Sequence, residues 1–333
     1  MKLFNLGELD WKQTQLIYHA LAYKNIESLV LHFSRNKYIS VGLHQDPRDE
    51  LDLNFCKNNN IGIFRREIGG GTVLLDNNQL FYNLIINRNN PIVPHFPENF
   101  FRKFLQPVIE TYHELGITAE FRPLCDLIVK EKKVSGNGGG EIGNCKVLAG
   151  NILLDFDYKR MARAVSTQDT LRGKFLELMQ NNITTVKKEL RVIPSKEEIC
   201  SILVKKFEGF LGNMTEGSVN AKITKKMAEL DKLYSSDKWL YQRGTKQIGR
   251  EIKVREGVYL FHKTFDTKEG SEGITCEIDD NTVKKVTFTG EYFPSNIDKK
   301  KFKEKLVGLE YDRNKLANKI MSLIKTYGVV AYD

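Results

Sequence analysis

The chain has 333 residues and a mass of 38.3 kDa, with 41% hydrophobic and 10% aromatic residues. That is enough apolar material for one large or two medium domains and excludes general disorder. Its 51 Lys and Arg against 42 Asp and Glu leave a formal charge of +9, which suits an acidic protein, a phosphate-bearing ligand or nucleic acid. No zinc-finger, basic-zipper or RNP-like signature accompanies the charge, so nucleic acid is not expected. No apolar run approaches the roughly 18 residues of a membrane span, so no membrane association is expected, and the opening MKLFNLGELDW lacks a secretory core. Five scattered cysteines without a C-x-x-C pair give no support to a zinc or disulfide framework and suit a reducing, cytoplasmic setting.

Taken in chain order, strand-like segments lie at Ser28–Phe33, Tyr38–Val41, Leu80–Ile86, Asp126–Val129 and Asn151–Leu154. Between them Phe100, Phe101, Phe104, Val108, Ile109 and Tyr112 form a helical stripe, which Pro107 should bend and Gly116 should end. Ser195-Lys-Glu-Glu198 is a capping box ahead of Ile199, Ile202, Leu203, Phe207, Phe210 and Leu211. Leu316, Ile320, Leu323, Ile324 and Tyr327 predict a helix near the C-terminus. Several strands follow one another without a crossover helix, so the expected fold is α+β with mixed, largely antiparallel sheets and packed helices. The organisation changes near residue 235, giving one expected domain over 1–240 and a small α+β domain over 248–333. Its strand-rich block, Gln247–Phe293, precedes two helical segments, the first carrying exposed Lys299, Lys300, Lys301, Lys303 and Lys305.

Two segments carry the residue types that chemistry needs. The first is Arg65-Arg66-Glu67-Ile68-Gly69-Gly70-Gly71-Thr72-Val73-Leu74-Leu75-Asp76. Consecutive glycines let a backbone approach a ligand and offer N–H groups to phosphate; arginines beside them can pair bidentately with carboxylate or phosphate. No Gly-Lys-Ser/Thr follows, so this is not a Walker A loop. The second is Asp126-Leu-Ile-Val129 followed by Lys130-Glu-Lys-Lys133-Val134-Ser135-Gly136-Asn137-Gly138-Gly139-Gly140. A lysine fixed by a strand can neutralise charge at a phosphoryl or acyl-phosphate centre. Alone, each segment reads equally as a glycine-rich turn with solvated charges. The glycines of Gly136–Gly143 suggest a mobile lid, because ordering them costs entropy that ligand contacts would have to offset.

Together, RREIGGGTVLLD, CDLIV, KKVSG and LAGNILL resemble the lipoate–protein ligases, of the superfamily shared with biotin ligases and octanoyltransferases. NNITTVKKEL within Leu171–Leu190 resembles the segment that follows those strands. Trp239–Gly257, Gly290-Glu-Tyr-Phe293 and Leu306–Asp312 resemble the family's accessory domain. The resemblance implies a class II biotin/lipoate ligase-like fold and a two-step reaction. Lipoate's carboxylate attacks the α-phosphorus of ATP, expelling pyrophosphate and giving lipoyl-AMP; a lysine amine of a lipoyl-carrier protein, H-protein-like or an acyltransferase lipoyl domain, then displaces AMP.

Residue by residue, the resemblance implies that Lys133 binds the carboxylate and α-phosphate oxygens and that Arg66 helps to hold the acyl adenylate. Gly70, Gly71, Thr72 and Val73 would line the pocket, with Ser135, Gly136 and Gly150 among the binding residues. Asp76 or Asp126 would contact nucleotide or Mg²⁺, and no resident metal site is expected. The chain departs from the family where two histidines would stand, at Leu75 and Ala149, and has Cys125 before Asp126 and Asn137-Gly138 after the Ser-Gly step. Two alternatives follow. An octanoyltransferase would use Cys125 or Cys145 as nucleophile, with a base to activate it; a non-catalytic lipoyl-binding protein would need neither. A biotin ligase fits less well, since its arginine- and glycine-rich motif is arranged differently.

Overall fold

The computed structural model describes residues 1–242, 248–267, 270–289 and 297–326. The chain divides into two compact units, Met1–Thr245 and Lys246–Asp333. In the first, alternation along the central strands decides the architecture. Successive strand side chains face opposite ways, and here both sets are apolar. Leu29, Leu31, Leu80, Tyr82, Leu84, Leu148 and Ile152 enter one core, while Val30, Phe81, Ile85, Cys145 and Val147 enter another. Such a sheet needs cover on both faces. Helices Pro97–Phe104, Gln106–Glu114 and Lys196–Leu211 bring Phe104, Val108, Tyr112, Leu203 and Phe207 to the first core. Helices Trp11–Tyr23 and Ala221–Tyr234 bring Ile17, Leu21, Ile223 and Leu230 to the second.

From edge to edge the six-stranded sheet runs Asn137–Ile142, Cys145–Leu153, Gln79–Asn87, Ser28–Ser34, Lys2–Leu9, Thr215–Glu216. The first four strands pair antiparallel and the last two join in parallel. Two three-stranded sheets flank it. One places Tyr38–Val41 between Gly62–Arg65 and Val73–Leu75; the other is the antiparallel run Glu120–Arg122, Asp126–Val129, Lys132–Ser135. The mixed, largely antiparallel α+β fold expected from the strand spacing is therefore present.

Local signals acted as their chemistry dictates. The Ser195 hydroxyl accepts the Glu198 N–H at 3.1 Å and starts its helix. The aromatic stripe divides into two helices at Leu105, because Pro107 fits the first turn of a new helix and not the interior of an old one. One expectation fails. Asn137–Ile142 is no free lid but an edge strand, paired with Cys145–Leu153 from Asn137↔Gly150 to Ile142↔Cys145. Glycine's low strand propensity is overridden by the ladder and by the close approach described below.

The second unit is an antiparallel meander of Arg250–Arg255, Val258–Thr267, Gly270–Asp279 and Thr282–Thr289. Helices Lys299–Glu304 and Arg313–Thr326 cover it with Phe302, Leu316, Ile320 and Ile324. Lys299, Lys300, Lys301, Lys303 and Lys305 are exposed around the buried Phe302. Gly290–Phe293 and Tyr327 lie outside the described residues.

Two buried histidines of the first unit make stability pH-dependent. The His19 Nδ1–H donates to the Gln15 carbonyl at 2.7 Å, and its Nε2 accepts the Glu67 N–H at 3.2 Å, which fixes one neutral tautomer. Burial lowers both His19 and His32 to about 4, against about 6.5 in an unfolded chain. Between those values the unfolded state binds more protons, so stability must fall as pH drops from 6.5 towards 4, by up to about 3 kcal/mol per ring. Urea midpoints measured across that range should slope accordingly, and His32→Gln should flatten the slope. An unchanged slope would contradict the assignment.

Candidate active site

The glycine loop is built around Arg66. This side chain is buried, and all of its guanidinium nitrogens donate to protein oxygens. Nε reaches the Gly69 carbonyl at 3.3 Å, Nη2 the Gly69 and Gly71 carbonyls at 3.0 and 2.8 Å, and Nη1 the Ser40 carbonyl and hydroxyl at 3.0 and 3.2 Å. Burial lowers its pKa from the usual arginine value. Gly70 sits at φ +104°, and a Cβ there would lie 2.8 Å from Arg66 Nη2, so the loop closes over the guanidinium only with glycine. Arg66 is thus a brace beneath the loop. The Thr72 hydroxyl donates to Gln45 Oε1 at 3.0 Å. Gly70, Gly71, Thr72 and Val73 remain wholly or partly accessible.

The neighbouring residues tie this loop to the end of the first unit. Arg65 Nη1 donates to the Trp239 carbonyl at 3.0 Å, the Trp239 indole N–H donates to the Arg65 carbonyl at 2.8 Å, and the guanidinium lies 5.6 Å from the indole centroid. Glu67 accepts the Tyr23 and Tyr234 hydroxyls at 2.9 and 2.6 Å. Arg48 donates to the Tyr241 carbonyl at 2.8 Å. The unit therefore runs past residue 240.

The lysine stands on the short hairpin Asp126–Val129, Lys132–Ser135. Lys133 Nζ lies 2.7 Å from Asp126 Oδ1, with Lys133 18% and Asp126 3% exposed. Asp126 therefore orients the ammonium group. The Lys133 carbonyl accepts the Thr184 N–H at 2.8 Å, docking the 171–190 segment on this strand. Ser135 is fully buried, and its hydroxyl donates to the Asn151 carbonyl at 2.6 Å. Asp76 is also buried; it accepts the Asn78 N–H at 2.9 Å, and burial raises its pKa. Neither Ser135 nor Asp76 is presented to solvent.

The two motifs meet through their glycines. A Cβ on Gly138 would stand 3.2 Å from the Gly69 carbonyl, and one on Gly140 3.3 Å from Ile68 Cγ2. Gly150 is buried where the Tyr82 hydroxyl donates to Asn137 Oδ1, and a Cβ there would overlap both. It is closely packed. Gly150→Ala should lower the thermal midpoint by several degrees, since overpacking of this kind costs about 1–3 kcal/mol; calorimetry measures it, and an unchanged midpoint would contradict the packing. Leu75, where the family has histidine, lies in the second core, and Ala149 is half-buried against it.

The two candidate cysteines differ in their surroundings. Cys145 is buried, and burial raises its pKa. The Cys125 thiol donates to the Asn137 carbonyl at 3.3 Å, and Asn137 Nδ2 donates back to the Cys125 carbonyl at 2.9 Å. His19, His32, His113 and His262 pair with Gln15 and Glu67, Asn83, Ala119 and Thr275 respectively. Among the described residues no group of three His, Cys, Asp or Glu side chains is gathered for a metal, and no helix is long and apolar enough to cross a membrane.

The model of the lipoyl protein ligase A/B catalytic domain family matches residues 8–208. The chain belongs to this family. It is 24% identical over 296 residues to the lipoate-protein ligase LplJ of Bacillus subtilis, covering 88% of this chain and 84% of that protein. Among solved structures it resembles the bipartite lipoate protein ligase of Thermoplasma acidophilum, described with its E2 lipoyl domain, at TM-score 0.65 and 23% identity over 74% of this chain and 98% of the other. A lipoate-protein ligase A solved with ATP bound gives TM-score 0.60 at 21% identity over 72% and 98%. As a family member the chain carries the glycine loop on one flanking sheet and the lysine hairpin on the other. Sequence reading missed Gln79, Tyr82 and Asn151, polar residues inside otherwise apolar strands; Asn151 directly after Gly150 was the available signal.

Proposed function

We propose that this protein activates lipoate with ATP to lipoyl-AMP and transfers the lipoyl group to a lysine of an acceptor domain. The observation that carries the reading is Lys133 held by Asp126 beside a braced glycine loop, in a chain of this family. In the first step a lipoate oxygen forms a bond to the α-phosphorus while the bond to pyrophosphate breaks. Lys133 is the cation placed to meet the developing charge. Accessible Gly70, Gly71, Thr72 and Val73 form the surface against which nucleotide and acyl chain lie, and Arg66 keeps that surface in shape. In the second step the acceptor amine attacks the acyl carbonyl, AMP leaves, and the amine loses a proton.

Magnesium would enter with the ATP phosphates as part of the substrate, as that ion commonly does. The acceptor we infer is an acidic lipoyl carrier, H-protein-like or an acyltransferase lipoyl domain, steered by the +9 charge. The setting we infer is cytoplasmic, where five free thiols persist. ATP–pyrophosphate exchange with lipoate, octanoate and biotin in parallel tests the reading. Exchange dependent on lipoate supports it; transfer from an acyl-carrier thioester without ATP would give the protein to the octanoyltransferases.

A further inference from the structure

The geometry points to Gln79 and Asn151 as positioning residues that lock the lysine hairpin to the glycine loop. This rests on the reading that Lys133 serves acyl adenylation. Asn151 Oδ1 accepts the Gly136 N–H at 2.8 Å, and the Asn151 N–H donates to the Gly136 carbonyl at 3.1 Å. Asn151 Nδ2 donates to Gln79 Oε1 at 2.8 Å. Gln79 Nε2 donates to the Leu74 carbonyl at 3.1 Å and to Asp76 Oδ1 at 3.5 Å. Gln79 is 1% and Asn151 8% exposed. Two side-chain amides therefore connect the strand that follows the three glycines to Gly136, directly after the lysine strand.

The polarity of this relay is fixed from both ends. The Gly136 N–H can only donate, so the atom facing it must be an oxygen; the Leu74 carbonyl can only accept, so the atom facing it must be a nitrogen. Neither amide can flip without placing like against like at a buried site. A Cβ on Gly136 would lie 3.4 Å from Asn151 Oδ1 and 3.7 Å from Lys133 Cε. The carboxamide and the lysine stem thus converge on one point, and Asn151 sets where Lys133 begins its reach.

Three variants test the relay. Gln79→Leu, which touches neither Lys133 nor Gly136, should raise hydrogen exchange of the peptide spanning 134–138 about tenfold and lower kcat for ATP–pyrophosphate exchange about tenfold, with KM for ATP within threefold. Asn151→Ala should lower kcat by tenfold to a hundredfold, because its contact with Gly136 is direct. Gln79→Glu keeps the size but loses the donor while ionised, so its activity relative to wild type should be low at pH 8 and recover towards pH 6, as the protonated carboxyl again donates to Leu74. A role in packing alone would move neither the pH profile nor kcat against KM. Unchanged exchange at 134–138 in Gln79→Leu, or kcat within twofold of wild type in folded variants, would overturn the proposal. A wild-type protein without pyrophosphate exchange would instead overturn the ligase reading, while the hydrogen-exchange result would still decide the relay.

Discussion

Lys133→Ala should abolish formation of acyl-AMP. An electrostatic contribution at a developing oxyanion is commonly about 3 kcal/mol or more, roughly a hundredfold in rate or greater. Lys133 is the motif lysine whose ammonium group the fold orients, through the 2.7 Å contact to Asp126. The same contact gives the substitution a second consequence. Asp126 is buried, and removing the cation from a buried pair destabilises, so the thermal midpoint should fall by a few degrees while the protein stays folded at assay temperature. Asp126→Asn separates the two effects: it removes the ion pair but keeps Lys133, and should retain measurable adenylation where Lys133→Ala has none. Cys125→Ser and Cys145→Ser should each keep most activity, since Cys145 lies in a core and Cys125 donates to a backbone carbonyl. Loss of activity in a cysteine variant, together with ATP-independent transfer from a thioester, would hand the chemistry to a cysteine relay.

How much of this was legible in the sequence depended on the range of the interactions. The strands, the Ser195 cap and the break before Pro107 are written locally, in apolar runs and in backbone chemistry, and they stand where those signals place them. Three consecutive glycines beside two arginines marked a loop, and a lysine before Ser-Gly marked a second segment. What the sequence could not show is the direction each side chain takes. Arg66 reads as a ligand-binding cation because an arginine beside glycines usually faces outward; here the loop folds back over it, and five donors meet carbonyl and hydroxyl oxygens of Ser40, Gly69 and Gly71. Asp76, Ser135 and Gly150 read as binding residues from their motifs alone, and their burial depends on partners that the motifs do not name. Gly136–Gly143 reads as a lid because propensity is local, whereas the ladder to Cys145–Leu153 and the contact with Gly69 are tertiary. Gln79 was invisible for the same reason, and Asn151 was marked only by its place after Gly150: a polar residue in a strand gains meaning only from what stands opposite.

The second large effect should come from Arg66, and its signature should differ from that of Lys133. On the proposed reading, Lys133→Ala removes charge at the reacting centre and leaves the loop intact. Arg66→Ala leaves the reacting centre intact and removes the support of the loop: the Gly69 and Gly71 carbonyls lose a charged donor, and Gly70, held at φ +104° over the guanidinium, loses the surface it closes on. Hydrogen bonds to charged groups contribute about 1.5–3 kcal/mol each, and these are not additive about one guanidinium, so a loss of about 3 kcal/mol is reasonable. For a unit of this size that lowers the thermal midpoint by about 6–12 °C. The displaced loop should also weaken binding of a non-hydrolysable lipoyl-adenylate analogue about a hundredfold, as misplacement of a binding surface by about an ångström commonly does to positioning. Arg66→Lys is the discriminating variant. It keeps the charge but has three donors on one nitrogen, which cannot reach Ser40 on one side and Gly71 on the other as a planar fork does. Titration calorimetry should therefore find Arg66→Lys nearly as weak as Arg66→Ala, although its thermal midpoint is partly restored. Full affinity in Arg66→Lys would mean that the guanidinium acts through its charge towards the ligand, and the brace would be wrong.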